Sequence, residues 1–163
     1  MRALLLAAVG ALVLGASAAA DPVSTITLSP DAQKAFHKKY GEREIATLST
    51  AIHKSIAREL ARRGIAESPN LRIEVTIVDA LPSRPTFQQM SDNVSLDMRG
   101  ISNGGAELRA RLVNGDGQTV SELTERWYES DIRSAFSRAT WSDAQYAIRR
   151  FARKVAIEYG ARV

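Results

Sequence analysis

The chain has 163 residues, no cysteine and a formal net charge of +4. Without cysteine it has neither a disulfide framework nor a thiol for a lipid anchor, so an ordinary hydrophobic core must stabilise it. A chain of this length supports one such core, and the small positive excess permits an anionic partner without requiring one.

The first twenty residues predict a secretory signal peptide. Arg2 precedes an uncharged run over residues 3–15, and small residues then follow as far as Ala18-x-Ala20. The run is too short for an ordinary membrane span, and the small residues fit a signal peptidase site. We therefore expect residues 1–20 to be removed. Residues 21–163 should form a single α+β domain, periplasmic or secreted, with no integral membrane segment.

The next third of the chain predicts one strand and two helices. A strand over residues 23–28 ends at Ser29, which with Pro30 starts a helix that runs to Tyr40. After an interruption at Gly41, a longer helix over residues 42–63 carries an apolar stripe at steps of three and four residues and ends at Gly64. The stripe consists of Ile45, Leu48, Ile52, Ile56 and Leu60.

The middle of the chain predicts strands separated by turns. Residues 71–77 alternate as a half-buried strand does, whereas the prolines of residues 80–93 favour a long loop. A hairpin is expected next, with its turn at residues 102–105. Its strands carry Val94, Leu96 and Met98, then Ala106, Leu108, Ala110 and Leu112. After a second turn at residues 114–117, a strand over residues 118–128 should contain a bulge, because Val120 is out of phase.

The last predicted element is a helix that begins at Thr140-x-x-Asp143, a pattern resembling a capping box. It should end at Gly160 and pack one stripe on the sheet. That stripe consists of Trp141, Ala144, Ile148, Phe151, Val155 and Tyr159. The expected fold is an α+β two-layer sandwich, a mostly antiparallel sheet of four to five strands with two long helices on one face.

Several separated motifs carry a family resemblance. They are Gly104-Gly105-Ala106-Glu107, the turn Asn114-Gly115-Asp116-Gly117 and the helix start Trp141-Ser142-Asp143-Ala144, which continues to Phe151-Ala152. With the strand over residues 71–80, they resemble bacterial envelope proteins grouped as domain of unknown function 3313, over roughly residues 42–159. Members are commonly lipoproteins, and this chain departs from them by lacking the lipid-acceptor cysteine. The resemblance implies an envelope location and brings no known activity.

The common catalytic and metal-binding signatures are absent from the sequence. His37 and His53 are not at the spacing of paired metal ligands, so we expect no metal site and no cofactor. Acidic residues near strand ends leave one alternative to a non-enzymatic binding module open: a small-ligand or hydrolase site. These residues are Asp79, Asp97 and Asp131.

The outer face of the predicted sheet is rich in arginine. Two interpretations remain open: a solvated face held by cross-strand ion pairs, or a docking surface for an anionic group. Because no aromatic residues clearly interleave with these arginines, we expect no nucleic-acid partner. By alternation the face should present Arg72, Glu74, Asp97, Arg99, Glu107, Arg109 and Arg111, with Arg126 if the register holds.

The proline-rich segment over residues 81–90 is a second candidate binding surface. It carries Arg84 and the large apolar side chains of Phe87 and Met90. These apolar side chains could contact a partner, or they could fold back and cap the core. The leading hypothesis is a non-enzymatic binding module for another envelope protein or an anionic envelope component, through this segment or the arginine-rich face.

Overall fold

The computed structural model describes residues 22–133 and 139–163. The predicted signal peptide lies outside these residues and stays a prediction. In the described ranges, no helix is long and apolar enough to span a bilayer.

Four strands form one mixed sheet in the order β1-β2-β3-β4. Strand β1 runs parallel to β2, and the β2–β3 and β3–β4 pairs are antiparallel. The α+β fold with a mostly antiparallel sheet is therefore confirmed. The strands are β1 (Val23–Leu28), β2 (Leu71–Leu81), β3 (Gly105–Asn114) and β4 (Thr119–Tyr128).

Helix α1 (Pro30–Ala35) begins as the sequence predicts and continues as a π-helical segment, Phe36–Tyr40. The Ser29 hydroxyl accepts the Ala32 N–H at 3.2 Å and donates to the Val78 carbonyl at 2.6 Å, so one side chain caps the helix and fixes it to β2. Gly41 has a φ of +95°, a conformation that favours glycine, and there the chain turns into the next helix.

The two long helices, α2 (Arg43–Arg62) and α4 (Ser142–Gly160), pack against each other on one face of the sheet. The predicted stripes form the core: all six stripe residues of α4 are at most 3% exposed, as are those of α2 except for the partly buried Ile45. The other sheet face is open to solvent. This arrangement is the predicted two-layer sandwich.

The predicted bulge in β4 is present. Thr119 pairs with Val113 and Ser121 pairs with Leu112, which leaves Val120 as the extra residue. A register shift in β2 likewise leaves Val78 unpaired opposite β3. The Val78 carbonyl accepts the Ser29 hydroxyl, so the bulge also serves to hold α1.

The strand predicted through Val94, Leu96 and Met98 is wrong. These side chains are 97%, 37% and 52% exposed in turns, because polar side chains organise the backbone instead. Asn93 accepts the Ser95 N–H at 3.0 Å, and Asp97 accepts the Arg99 N–H at 2.7 Å. The hairpin expected between these residues and β3 is therefore absent.

The long loop expected over residues 80–93 is only partly correct. Strand β2 continues to Leu81, and a helix, α3 (Phe87–Asp92), follows the second proline. A capping box starts α3: Thr86 accepts the Gln89 N–H at 3.3 Å, and the Gln89 side chain accepts the Thr86 N–H at 3.0 Å. The capping box predicted at Thr140 and Asp143 does not form, because the Asp143 carboxylate bonds elsewhere.

Candidate functional site

The outer sheet face is electrically balanced. Arg111 lies between Glu74 at 3.7 Å and Glu122 at 3.5 Å, and Arg126 lies 3.5 Å from Glu107. The strand register accounts for these pairs, since it places Arg111 opposite both glutamates and Arg126 opposite Glu107. The face carries four arginines and four carboxylates: Arg72, Arg109, Arg111 and Arg126, with Glu74, Asp79, Glu107 and Glu122.

Arg99 and Asp97 do not belong to this face. They were assigned to it through the predicted strand over residues 94–98, which is a turn region in the structure. Their removal takes away one charge of each sign and leaves the expected excess of arginine unchanged. The balance arises because Asp79 and Glu122 lie on this face. The structure thus favours a solvated face held by cross-strand ion pairs.

Arg109 is the exception at the centre of the face. It lies between Thr76 on β2 and Thr124 on β4, neither of which carries charge. In the described ranges it has no ion-pair partner. One such arginine among balanced pairs gives a weak local attraction for an anion and no enclosed site.

The three acids of the alternative hypothesis do not converge. Asp79 accepts the Tyr128 hydroxyl at 2.6 Å, and Asp131 pairs with Arg133 at 2.9 Å, while Asp97 holds its own turn. Burial, followed by the hydrogen bond to Asp79, raises the pKa of the Tyr128 hydroxyl above its ordinary value. Among the described residues, no group of three metal-ligating side chains occurs. Within residues 22–133 and 139–163, Asp79, Asp97 and Asp131 therefore do not form a common site.

A hydrogen bond joins the two ends of segment 84–98, which exposes an apolar surface to solvent. Arg84 donates to the Met98 carbonyl at 2.9 Å, so this arginine holds the segment closed. Phe87 is 78% exposed, and Met90 is partly buried. Phe87 therefore does not cap the core.

A surface groove of about 860 Å³ lies beside Phe87, between the π-helical segment, the start of α2, and α3. Its rim is charged on one side, where His37 contacts Glu42 at 3.0 Å. None of the three acids of the alternative hypothesis lines this groove. An open groove with an exposed phenyl ring at its edge suits contact with another macromolecule better than acid-base catalysis.

A buried polar cluster that sequence reasoning missed supports this region. The Ser83 hydroxyl and the Gly104 N–H both donate to Asp143 Oδ2, at 2.8 Å and 3.1 Å. Ser83 and Asp143 are at most 2% exposed. The cluster joins the end of β2, the approach to β3 and the start of α4. Its Gly104 and Asp143 belong to two of the motifs that carry the family resemblance, although their pairing was not visible in the sequence.

Comparisons with known proteins identify no family. No family model matches the chain, and no curated protein matches it. A solved structure, a minor lipoprotein from Acinetobacter baumannii, is 10% identical with a TM-score of 0.35, over 84% of this chain and 92% of that chain. A likeness at this level carries no functional argument. The resemblance to domain of unknown function 3313 stays a prediction.

Proposed function

We propose that this protein is an exported bacterial envelope protein that binds another envelope protein and has no catalytic role. Its envelope location rests on the signal-peptide pattern of residues 1–20, and its place among proteins of domain of unknown function 3313 is part of the same proposal. The protein partner contacts the apolar segment, defined here as Phe87, Val94, Leu96 and Met98.

The single observation that supports binding is the concentration of exposed apolar side chains in this segment. Four of the eight large exposed hydrophobic residues in the described ranges lie within residues 87–98. Such side chains gain free energy when a partner removes them from water. Scattered apolar residues need no explanation, whereas half of the set in one short segment does.

The segment is also ordered before binding. The capping box at Thr86 fixes α3, the bond from Arg84 to Met98 closes the base, and the Asp97 carboxylate holds the final turn through the Arg99 N–H. A surface ordered in advance loses less conformational entropy when a partner docks. This order distinguishes the apolar segment from a flexible tether.

Partner capture from an envelope extract tests the proposal with the double variant Phe87→Ser and Met98→Ser. Both side chains are exposed, so the fold should survive while capture falls at least about tenfold, the equivalent of about 1.4 kcal/mol. The matched control replaces Ile132 and Ile157 with serine. These residues lie outside the segment and are 43% and 53% exposed. Equal capture by wild type and the segment variant contradicts the proposal.

Export requires its own measurement. Mass spectrometry of the chain recovered from the periplasm should show a protein that begins at Asp21, because cleavage follows Ala20. A chain that retains Met1, or one that stays in the cytoplasm, contradicts the proposed location.

A further inference from the structure

A groove of about 220 Å³ lies between α2 and α4, on the solvent side of the helical layer. Charged side chains line both of its walls: Arg58 and Glu59 on α2, and Arg149, Arg150 and Arg153 on α4. Ser55, Tyr146 and Ala152 complete the walls. This groove is separate from the apolar segment, and its residues are absent from every surface that the sequence analysis singled out.

Arg58, Arg149 and Arg153 have no ion-pair partners among the described residues. The carboxylate of the groove wall, Glu59, already pairs with arginines outside the groove. Glu59 accepts a hydrogen bond from Arg62 at 2.7 Å, which, with a smaller contribution from the charge of Arg153, lowers its pKa.

Arg150 forms an ion pair with a carboxylate beneath α4. Its Nε donates to Glu125 at 2.6 Å, and Glu125 is buried under α4. Glu125 also pairs with Lys154, so it offsets only part of the charge of Arg150. The groove walls thus carry four arginines and one carboxylate, an excess of positive charge that the balanced sheet face does not have.

Two of these cations lie close together on α4. Arg149 and Arg153 are one helical turn apart, a spacing at which like charges repel. The Arg149 guanidinium lies 5.7 Å from the centre of the Tyr146 ring, and that ring lies 4.5 Å from the Trp127 ring. An anion between the helices would relieve the repulsion and meet guanidinium donors from two sides.

We propose that this groove binds the phosphate group of a small anionic ligand. Guanidinium forks match phosphate oxygens in geometry and charge, and the Ser55 hydroxyl adds a neutral donor on the groove wall. The volume lies below the roughly 300 Å³ at which pockets for larger organic ligands begin, so it suits a phosphate with a short organic stub. A free phosphate ester and a phospholipid headgroup both present this chemistry.

Two probes separate the sources of the phosphate. Titration with glycerol 3-phosphate reports a free ester through the tryptophan fluorescence of the Trp141→Phe variant, in which Trp127, beside the Tyr146 wall, is the remaining tryptophan. Co-sedimentation with phosphatidylcholine vesicles, with and without phosphatidylglycerol, reports a headgroup. Binding in the first assay assigns a soluble ester, and binding only to the vesicles with phosphatidylglycerol assigns a lipid. Binding to neither probe overturns the proposal.

Charge-matched variants separate the groove from general electrostatic attraction. The double variant Arg149→Gln and Arg153→Gln should weaken binding at least tenfold, and Arg58→Gln on the opposite helix should weaken it as well. The control, Arg99→Gln and Arg109→Gln, removes the same charge from other exposed positions and should change binding less than twofold. Equal losses in the control and the groove variant overturn the proposal, provided that circular dichroism shows both to be folded.

Discussion

At the residue scale, Asp143 shows how a buried acid can serve structure. Two donors, the Ser83 hydroxyl and the Gly104 N–H, satisfy one of its oxygens. A buried carboxylate that loses such donors leaves charge without solvation, which costs more than an exposed acid does. The cluster therefore fixes the junction of β2, β3 and α4, because any displacement would cost the free energy of these buried hydrogen bonds.

Gly104→Ala should destabilise the protein by several kcal/mol, because an added Cβ would lie 2.6 Å from the Ser83 hydroxyl and 2.9 Å from the Leu81 carbonyl. The Ser83 hydroxyl cannot move without breaking the buried cluster, and the Leu81 carbonyl belongs to the backbone of β2. Urea denaturation measures the loss. Gly115→Ala is the control, since its nearest neighbour would be 3.6 Å away. An unchanged midpoint for Gly104→Ala would show that the junction is more plastic than the packing implies.

Glu125 gives a pH-dependent contribution to stability. Burial opposes its charged form, yet hydrogen bonds from Lys154 and Arg150 outweigh that effect and lower its pKa. The unfolded chain therefore binds a proton at Glu125 more readily than the folded one. This contribution is fully present above the ordinary glutamate pKa and is lost as pH falls through the lowered pKa of the folded state.

Glu125→Gln should lower stability by about 1.5–3 kcal/mol at neutral pH, the range for hydrogen bonds to charged groups. The difference from wild type should shrink as the pH falls below about 4.3, the ordinary glutamate value. Thermal melts from pH 7 to pH 3 measure both effects. A difference that is constant over this range would mean that the charge of Glu125 adds nothing.

At the element scale, the sequence predicts an element where one strong periodicity covers it. The stripes of α2 and α4 and the alternation in β2 are sufficient to predict these three elements, because a buried face must repeat with the period of its element. The strand predicted through Val94, Leu96 and Met98 failed for the opposite reason. Three alternating apolar residues can also lie exposed when Asn93 and Asp97 organise turns around them.

The candidate sites were less predictable than the elements. The alternation in β3 predicts that Arg109 and Arg111 share one face, but it does not predict that Asp79 and Glu122 balance the charge of that face. The groove between α2 and α4 joins Arg58 to Arg149, which are far apart in sequence. Such a contact depends on how two helices pack, and a single sequence contains no direct signal of it.

Phe151 tests the helical layer directly. It is 0% exposed in the middle of α4, so Phe151→Ala should cost about 3–5 kcal/mol through lost burial and a cavity. Urea titration measures the change. Ile157→Ala, at an exposed position of the same helix, should cost much less. A midpoint for Phe151→Ala equal to that of wild type would contradict the packing of α4 on the sheet.

At the scale of the whole molecule, the surfaces divide by character. The open sheet face is balanced, the groove between the long helices is cationic, and the apolar segment lies apart from both in sequence. No residue of the apolar segment lines the groove. The two proposed interactions are therefore separable by mutation.

In the cell, the apolar segment should contact another envelope protein. A photoreactive phenylalanine analogue incorporated at Phe87 and illuminated in intact cells tests this contact, with the same analogue at Ile157 as the control. We expect a protein adduct from position 87, recovered in the envelope fraction, that position 157 does not give. The same adducts from both positions, or none from position 87, would contradict it.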